Sequence, residues 1–276
     1  FKKIQNPVAL QVGGSNESEL AEACRISEQY GYKEINLNLG CPSKKVQKNK
    51  FGACLMQEPK LVARCIESMA KATKLPITIK TRIGYNEVEN FEFLKSFIQT
   101  TKDAGSQKFI IHARKALLKK LTPKENLNIP PLKYDFVYKL KDFFKNDEII
   151  INGGIKTSGD IKNHLKKVDG VMIGRAIYHS PYFLAEIERE VFGNDNIPTR
   201  SEVMEKLIPY IQEETAKGVQ LNHIMRHTVG LFHGQNGSRV WKQYLSKNMC
   251  IRDADLQKVN HLMDQIKKTK NISLER

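Results

Sequence analysis

Residues 35–46 read INLNLGCPSKKV, and the fold turns on this stretch. Ile35, Leu37 and Leu39 alternate with Asn36 and Asn38, a period of two that marks a strand, and Gly40-Cys41-Pro42 stops it. A cysteine therefore stands where a strand hands over to a loop. Working outward, similar apolar runs recur at VALQVGG (8–14), EINLNLG (34–40), PITIKTRIG (76–84), KFIIHAR (108–114), EIIINGGIK (148–156) and GVMIGRA (170–176). The segments between them, such as SELAEACRISEQYG (18–31) and KLVARCIESMAKATK (60–74), carry apolar residues at helical spacing and finish in glycine or lysine. Strand and helix alternating in this way predict an α/β fold with a parallel sheet and crossover helices.

The count of six strands falls short of the eight that a (β/α)8 TIM barrel needs. At about 250 residues for eight units, two units correspond to roughly 60 residues. The chain enters a strand almost at once from Phe1, so the expectation is a TIM barrel whose first two strands lie upstream of this sequence. An open, doubly wound six-stranded sheet is the alternative. After about residue 195 only helix signals remain, SEVMEKLIPYIQEETAKG (201–218), LNHIMRHTVGLFHG (221–234) and the basic SRVWKQYLSKN (238–248). With NIPTR (196–200) as linker, the expected domains are a barrel over 1–195 and an all-helical C-terminal domain over 196–276.

Forty-five Lys and Arg against 30 Asp and Glu give a formal charge of +15 over 276 residues, which points to a polyanionic partner such as nucleic acid. A lysine-rich solvated surface is the plainer reading of the same excess. The five cysteines are odd in number and form no C-x-x-C pair, which suggests neither a disulfide framework nor a zinc site and fits a reducing cytosol. No apolar run is long enough to span a bilayer, and a soluble monomer is the default.

In parallel barrels functional groups sit at the C-terminal strand ends. Thr78, Lys80 and Arg82 share one face of their strand, so Lys80 lies among residues that should be buried, where a lysine needs an anionic or polar partner. His112 stands at an equivalent strand end. INGGI (151–155) and MIGRA (172–176) form a pair suited to phosphate: adjacent glycines expose backbone N–H groups, and Thr157 or Ser158 can cap a helix whose N-terminus favours an anion. Arg175 can add a charge-assisted bond. Cys41 by default is a small buried hydrophobe, yet of the five cysteines it alone ends a strand.

These residues together resemble the tRNA-dihydrouridine synthases, in the branch typified by the bacterial A-type enzyme. The matching motifs are LQVGGS (10–15), NLNLGCPSKKVQ (36–47), FGACLM (51–56), KTRIG (80–84), IIHARKALL (110–118), PKEN with IPPL (123–132), INGGIK (151–156) and DGVMIGRA (169–176). LFHG and GSRVWKQYLS later in the chain are similar to the family's helical domain. The resemblance implies an FMN enzyme that reduces the 5,6 double bond of a D-loop uridine in tRNA, with NADPH recharging the flavin. It implies Cys41 as the proton donor to carbon 5, and Gln11, Lys80 and His112 as contacts of the isoalloxazine. It places Asn152, Gly153, Gly154, Gly174 and Arg175 at the flavin phosphate, Asn38 on the target nucleotide with Lys124 nearby, and Arg239 and Lys242 on tRNA. It implies neither a metal nor a membrane.

Two departures stand out. The family's Ala-Pro-Met segment on its first strand is absent, and Leu127 occupies a position where PKEN-x-IPPL usually carries arginine. Two other readings stay open at this point: a different FMN barrel dehydrogenase, which would need no basic helical appendage, and a non-catalytic tRNA-binding protein.

Overall fold

A computed structural model describes residues 7–119 and 121–248. In chain order its elements are β1 (Ala9–Val12), α1 (Glu17–Ser27), β2 (Glu34–Leu39), α2 (Lys44–Lys48), α3 (Pro59–Ala72), β3 (Ile77–Arg82), α4 (Phe91–Asp103), β4 (Lys108–His112), α5 (Tyr134–Phe143), β5 (Glu148–Asn152), α6 (Ser158–Leu165) and β6 (Gly170–Met172). Five helices follow: α7 (Arg175–His179), α8 (Phe183–Phe192), α9 (Arg200–Ala216), α10 (Leu221–Met225) and α11 (Ser238–Asn248).

All six expected strands form, and they make one sheet in the order β1-β2-β3-β4-β5-β6 with every neighbouring pair parallel. Parallel crossovers are right-handed almost without exception. Strand order that advances in one direction therefore carries every crossover helix to the same side of the sheet. A doubly wound sheet instead reverses its order at a switch point. The doubly wound alternative is thus excluded by winding: these six strands wind singly, as in a barrel.

Singly wound strands have two unlike faces. Ile35, Leu37, Leu39, Ile77, Ile79, Phe109, Ile111, Ile149 and Ile151 share one parity and are each at or near zero exposure. That face lies beneath the crossover helices, whose apolar stripes, such as Val62, Cys65, Ile66 and Met69 on α3 and Leu94, Phe97 and Ile98 on α4, are buried too. The opposite parity carries Gln11, Asn36, Asn38, Thr78, Lys80, Arg82, His112 and Asn152. The helices start where local chemistry supplies orphan N–H acceptors: the Asn16 side chain caps α1, and Asn90 caps α4. Pro59 occupies the first turn of α3, where its missing donor costs nothing.

The described residues divide into two compact units. One runs to Ile155 and takes in Gly159–Met172; the other comprises Lys156–Ser158 and the residues from Ile173 onward. The second unit contains helices only, with Met204, Ile211, Leu221, Met225, Leu231, Phe232, Trp241 and Leu245 as its core. Its α9 opens with a capping box between Thr199 and Glu202 and continues through Pro209. The unit boundary at Met172 falls earlier in the chain than NIPTR, and the stretch beyond Asn248 lies outside the described residues. Among the described residues no helix is long and apolar enough to cross a membrane.

Candidate active site

Register turns the polar parity of the sheet into rows. Gln11 pairs with Asn36 and Asn36 with Thr78; one step toward the C-terminal strand ends, Asn38 pairs with Lys80; at the ends themselves Arg82 pairs with His112 and His112 with Asn152. Five of the site residues expected from sequence therefore occupy one face of one sheet: Gln11, Asn38, Lys80, His112 and Asn152. Gly153 and Gly154 follow directly.

The lower row is a chain of hydrogen bonds. Gln11 Nε2 donates to Asn36 Oδ1 at 2.8 Å, Asn36 Nδ2 donates to Thr78 Oγ1 at 2.9 Å, and Thr78 Oγ1 donates to Glu34 Oε1 at 3.3 Å. Glu34 in turn pairs with Lys108 at 2.7 Å. One of the two Gln11 amide N–H donors is thereby committed, which leaves the other donor and the carbonyl oxygen for a ligand.

Lys80 has no such neighbour. Its half-buried side chain makes no ion pair and no hydrogen bond among the described residues, and burial, reinforced by the Arg82 charge, pushes its pKa down to about 8, against a partial lift from Cys41. A half-buried ammonium of this kind fits an electron-rich ligand on the sheet face.

The Cys41 loop is fixed by five residues. Asn38 Oδ1 accepts the backbone N–H groups of Gly40 and Cys41, each at 3.1 Å. The Cys41 carbonyl accepts Ala53 N–H at 2.9 Å, and Gln47 Nε2 donates to the Pro42 carbonyl at 2.9 Å. Gly52 has φ +76°, and a Cβ built there would lie 2.6 Å from the Cys41 oxygen, so the FGACLM segment closes on this loop only through a glycine. Finally, Arg82 Nε donates to the Gly40 carbonyl at 2.8 Å.

Arg82 does more than brace Cys41. Its Nη1 donates to the carbonyls of Lys115 and Asn126, at 3.0 and 3.1 Å, so one guanidinium joins the Cys41 loop to the long segment between β4 and α5. It is 2 % exposed, and burial draws its pKa down to about 10. Asn126 organises that segment from within, its side chain bonding the backbone of Leu117, Leu121 and Thr122. Sequence reasoning placed Arg82 on the right face and gave it no task. Its partners lie 33 to 44 residues away, so the local pattern held no signal for them.

Among the other expected residues, His112 is 5 % exposed, and its ring lies against Gly153, where a Cβ would come 2.5 Å from Cδ2. Asn152 Nδ2 donates to the Met172 carbonyl at 2.9 Å. Lys124 is exposed at the head of the short helical turn Glu125–Leu127, and Leu127 is half-buried. In the second unit, Gly174 is the N-cap of α7 and Arg175 its first residue, both exposed. Arg239 and Lys242 are exposed on α11, whose other face buries Trp241 and Leu245; Trp241 Nε1 donates to the Thr228 carbonyl at 3.0 Å. Among the described residues no group of His, Cys, Asp and Glu could hold a metal ion.

A model of the family "Dihydrouridine synthase (Dus)" matches residues 1–270. Curated relatives named tRNA-dihydrouridine(20/20a) synthase are similar over most of the chain. The protein from Vibrio parahaemolyticus is 45 % identical over 99 % of this chain and 84 % of its own length. That from Synechocystis is 46 % identical over 92 % and 76 %, and that from Yersinia pestis 49 % identical over 90 % and 72 %.

Proposed function

The chain belongs to the dihydrouridine synthase family, and we propose that it reduces the 5,6 double bond of the uridine at position 20 or 20a of tRNA, on FMN, with NADPH as the source of electrons. The relatives' names give the reaction and the position. The observation that supports the chemistry is the mounting of Cys41 at a strand end beside the half-buried Lys80 and the buried Arg82, two cations on which its sulfur acts electrostatically.

The polar face of the sheet fits a flavin in two respects. Lys80 is a half-buried cation whose side chain has no ion-pair partner among the described residues, and the Gly153-Gly154 turn offers backbone where side chains would collide with His112 and Leu132. FMN, when bound, supplies hydride to carbon 6 of the uracil ring. Gln11, Lys80 and His112 would hold its ring system, and Asn152, Gly153, Gly154, Gly174 and Arg175 its phosphate end.

The remaining chemistry belongs to the protein. Hydride addition at carbon 6 leaves negative charge on carbon 5 and the conjugated carbonyl, and the Cys41 thiol gives its proton to carbon 5 as general acid. The thiolate that remains lies in the field of Lys80 and Arg82, which stabilise it until water returns a proton. Asn38 has Oδ1 committed to the Cys41 loop, so its Nδ2 is the group that would meet the target nucleotide. The base has to leave its stack to reach this face. Residues 196–276 we read as the helical tRNA-binding domain, with Arg239, Lys242 and the net charge gripping phosphates independently of sequence, and Lys124 adding a cation from the segment that Arg82 ties to Cys41. The barrel is of the (β/α)8 type, and the enzyme works as a cytosolic monomer.

The visible absorption spectrum after adding FMN and desalting tests the cofactor. A retained flavin band is expected; a colourless protein with intact tRNA binding would contradict the assignment and favour a purely RNA-binding role.

A further inference from the structure

The turn after β5 contains two consecutive glycines with positive φ, Gly153 at +118° and Gly154 at +73°. Such a turn defines its own backbone conformation weakly, because glycine carries the widest choice of conformations. It is wedged on both sides: a Cβ at Gly153 would meet His112 Cδ2 at 2.5 Å, and one at Gly154 would meet Leu132 Cδ1 at 2.5 Å and the Tyr134 hydroxyl at 3.0 Å. Steric contact confines the turn without deciding which way its peptide planes face.

A hydrogen bond makes that decision. Tyr134, the first residue of α5, donates its hydroxyl to the Gly153 carbonyl at 2.8 Å. The peptide joining Gly153 to Gly154 is planar and trans, so the Gly153 C=O and the Gly154 N–H point in opposite directions as one rigid body. Holding the carbonyl toward Tyr134 aims the Gly154 N–H away from it. No hydrogen bond among the described residues uses that N–H.

The tyrosine is itself held. Its ring packs edge-on against His164 at 4.5 Å between centroids, and His164 Nδ1 lies 2.8 Å from the Tyr138 hydroxyl. His164 is 5 % exposed, and burial lowers its pKa against an opposing pull from Asp160.

We infer that Tyr134 is a positioning residue: by anchoring the Gly153 carbonyl it aims the Gly154 N–H at the phosphate monoester of the flavin, and so contributes to the choice of FMN over flavins that lack the phosphate. This rests on the flavin reading above. Tyr134 does not touch the reacting atoms, and its effect is confined to the phosphate end of the ligand.

Tyr134→Phe removes the hydroxyl and keeps the ring against His164, so the fold is preserved. Flavin fluorescence titration of the whole chain gives dissociation constants for FMN and for riboflavin, which has the same ring and no phosphate. The unsubstituted protein is expected to prefer FMN. In Tyr134→Phe, FMN affinity should fall about tenfold, the effect of losing one charge-assisted hydrogen bond, with riboflavin affinity unchanged. An equal loss for both flavins, or no loss for either, overturns the inference and leaves the flavin site standing. A protein with its native tyrosine that binds riboflavin as tightly as FMN overturns the phosphate reading itself.

Discussion

Cys41→Ala retains flavin and still oxidises NADPH, but forms dihydrouridine in tRNA at least a hundredfold more slowly. Removal of a positioned general acid typically costs 10²- to 10⁴-fold, roughly 3 to 5 kcal/mol in the activation barrier. The substitution leaves the mounting of the loop in place, because every hydrogen bond that fixes residue 41 uses backbone: its N–H to Asn38, its carbonyl to Ala53, and the neighbouring Gly40 carbonyl to Arg82. Loss of product with flavin and NADPH turnover intact therefore isolates the proton. Single-turnover reduction of tRNA by the prereduced enzyme measures it, and an unchanged rate would remove Cys41 from the mechanism.

The second large effect concerns Lys80 and has opposite signs in the free and flavin-loaded protein. Its pKa stands near 8, against 10.5 for an ordinary lysine, chiefly because burial disfavours the charge. Below pH 8 the group is protonated both folded and unfolded, and the folded state carries the full desolvation cost. Between pH 8 and 10.5 the unfolded chain keeps its proton while the folded one releases it, so the folded state recovers stability as pH rises. At 1.36 kcal/mol per pKa unit the cost is about 3 kcal/mol at neutral pH. Lys80→Met without flavin should accordingly be more stable than its parent at pH 7, by up to about that amount, and should lose the parent's rise in stability between pH 8 and 10.5. With FMN present the order reverses, because the ligand gives the ammonium its missing partner. Thermal unfolding at pH 7 and pH 10, with and without FMN, checks both halves. A Lys80→Met protein destabilised without flavin would mean that Lys80 is an ordinary packing residue.

The parts legible in sequence were those written in short-range pattern. Strand β2 announced itself through the alternation of Ile35, Leu37 and Leu39 with two asparagines, and its end through Gly40-Cys41-Pro42. The same period of two placed Lys80 and Arg82 on one face and His112 at a strand end, which the parallel register then aligned. The singly wound topology was the expected one, yet local pattern alone could not separate it from the doubly wound alternative, since alternating strands and helices are common to both; strand order separates them. Equally hidden were contacts made over long separations. Arg82 reaches Gly40, Lys115 and Asn126, and Tyr134 reaches Gly153, through packing that no local window contains. Asn38 is an intermediate case. Its side chain accepts the N–H groups two and three residues ahead, a turn that Asn readily forms, so the signal was present in Asn-Leu-Gly-Cys. The resemblance instead directed Asn38 toward the nucleotide, and the commitment of Oδ1 leaves only Nδ2 for that purpose.

The most direct test of the account is to incubate the purified protein with FMN, NADPH and a tRNA transcript that contains no modified nucleosides, and to map by mass spectrometry which uridine gains two hydrogen atoms. The account predicts dihydrouridine at position 20 or 20a and at no uridine outside the D-loop. Consumption of NADPH with bound tRNA left unreduced at those positions would contradict it.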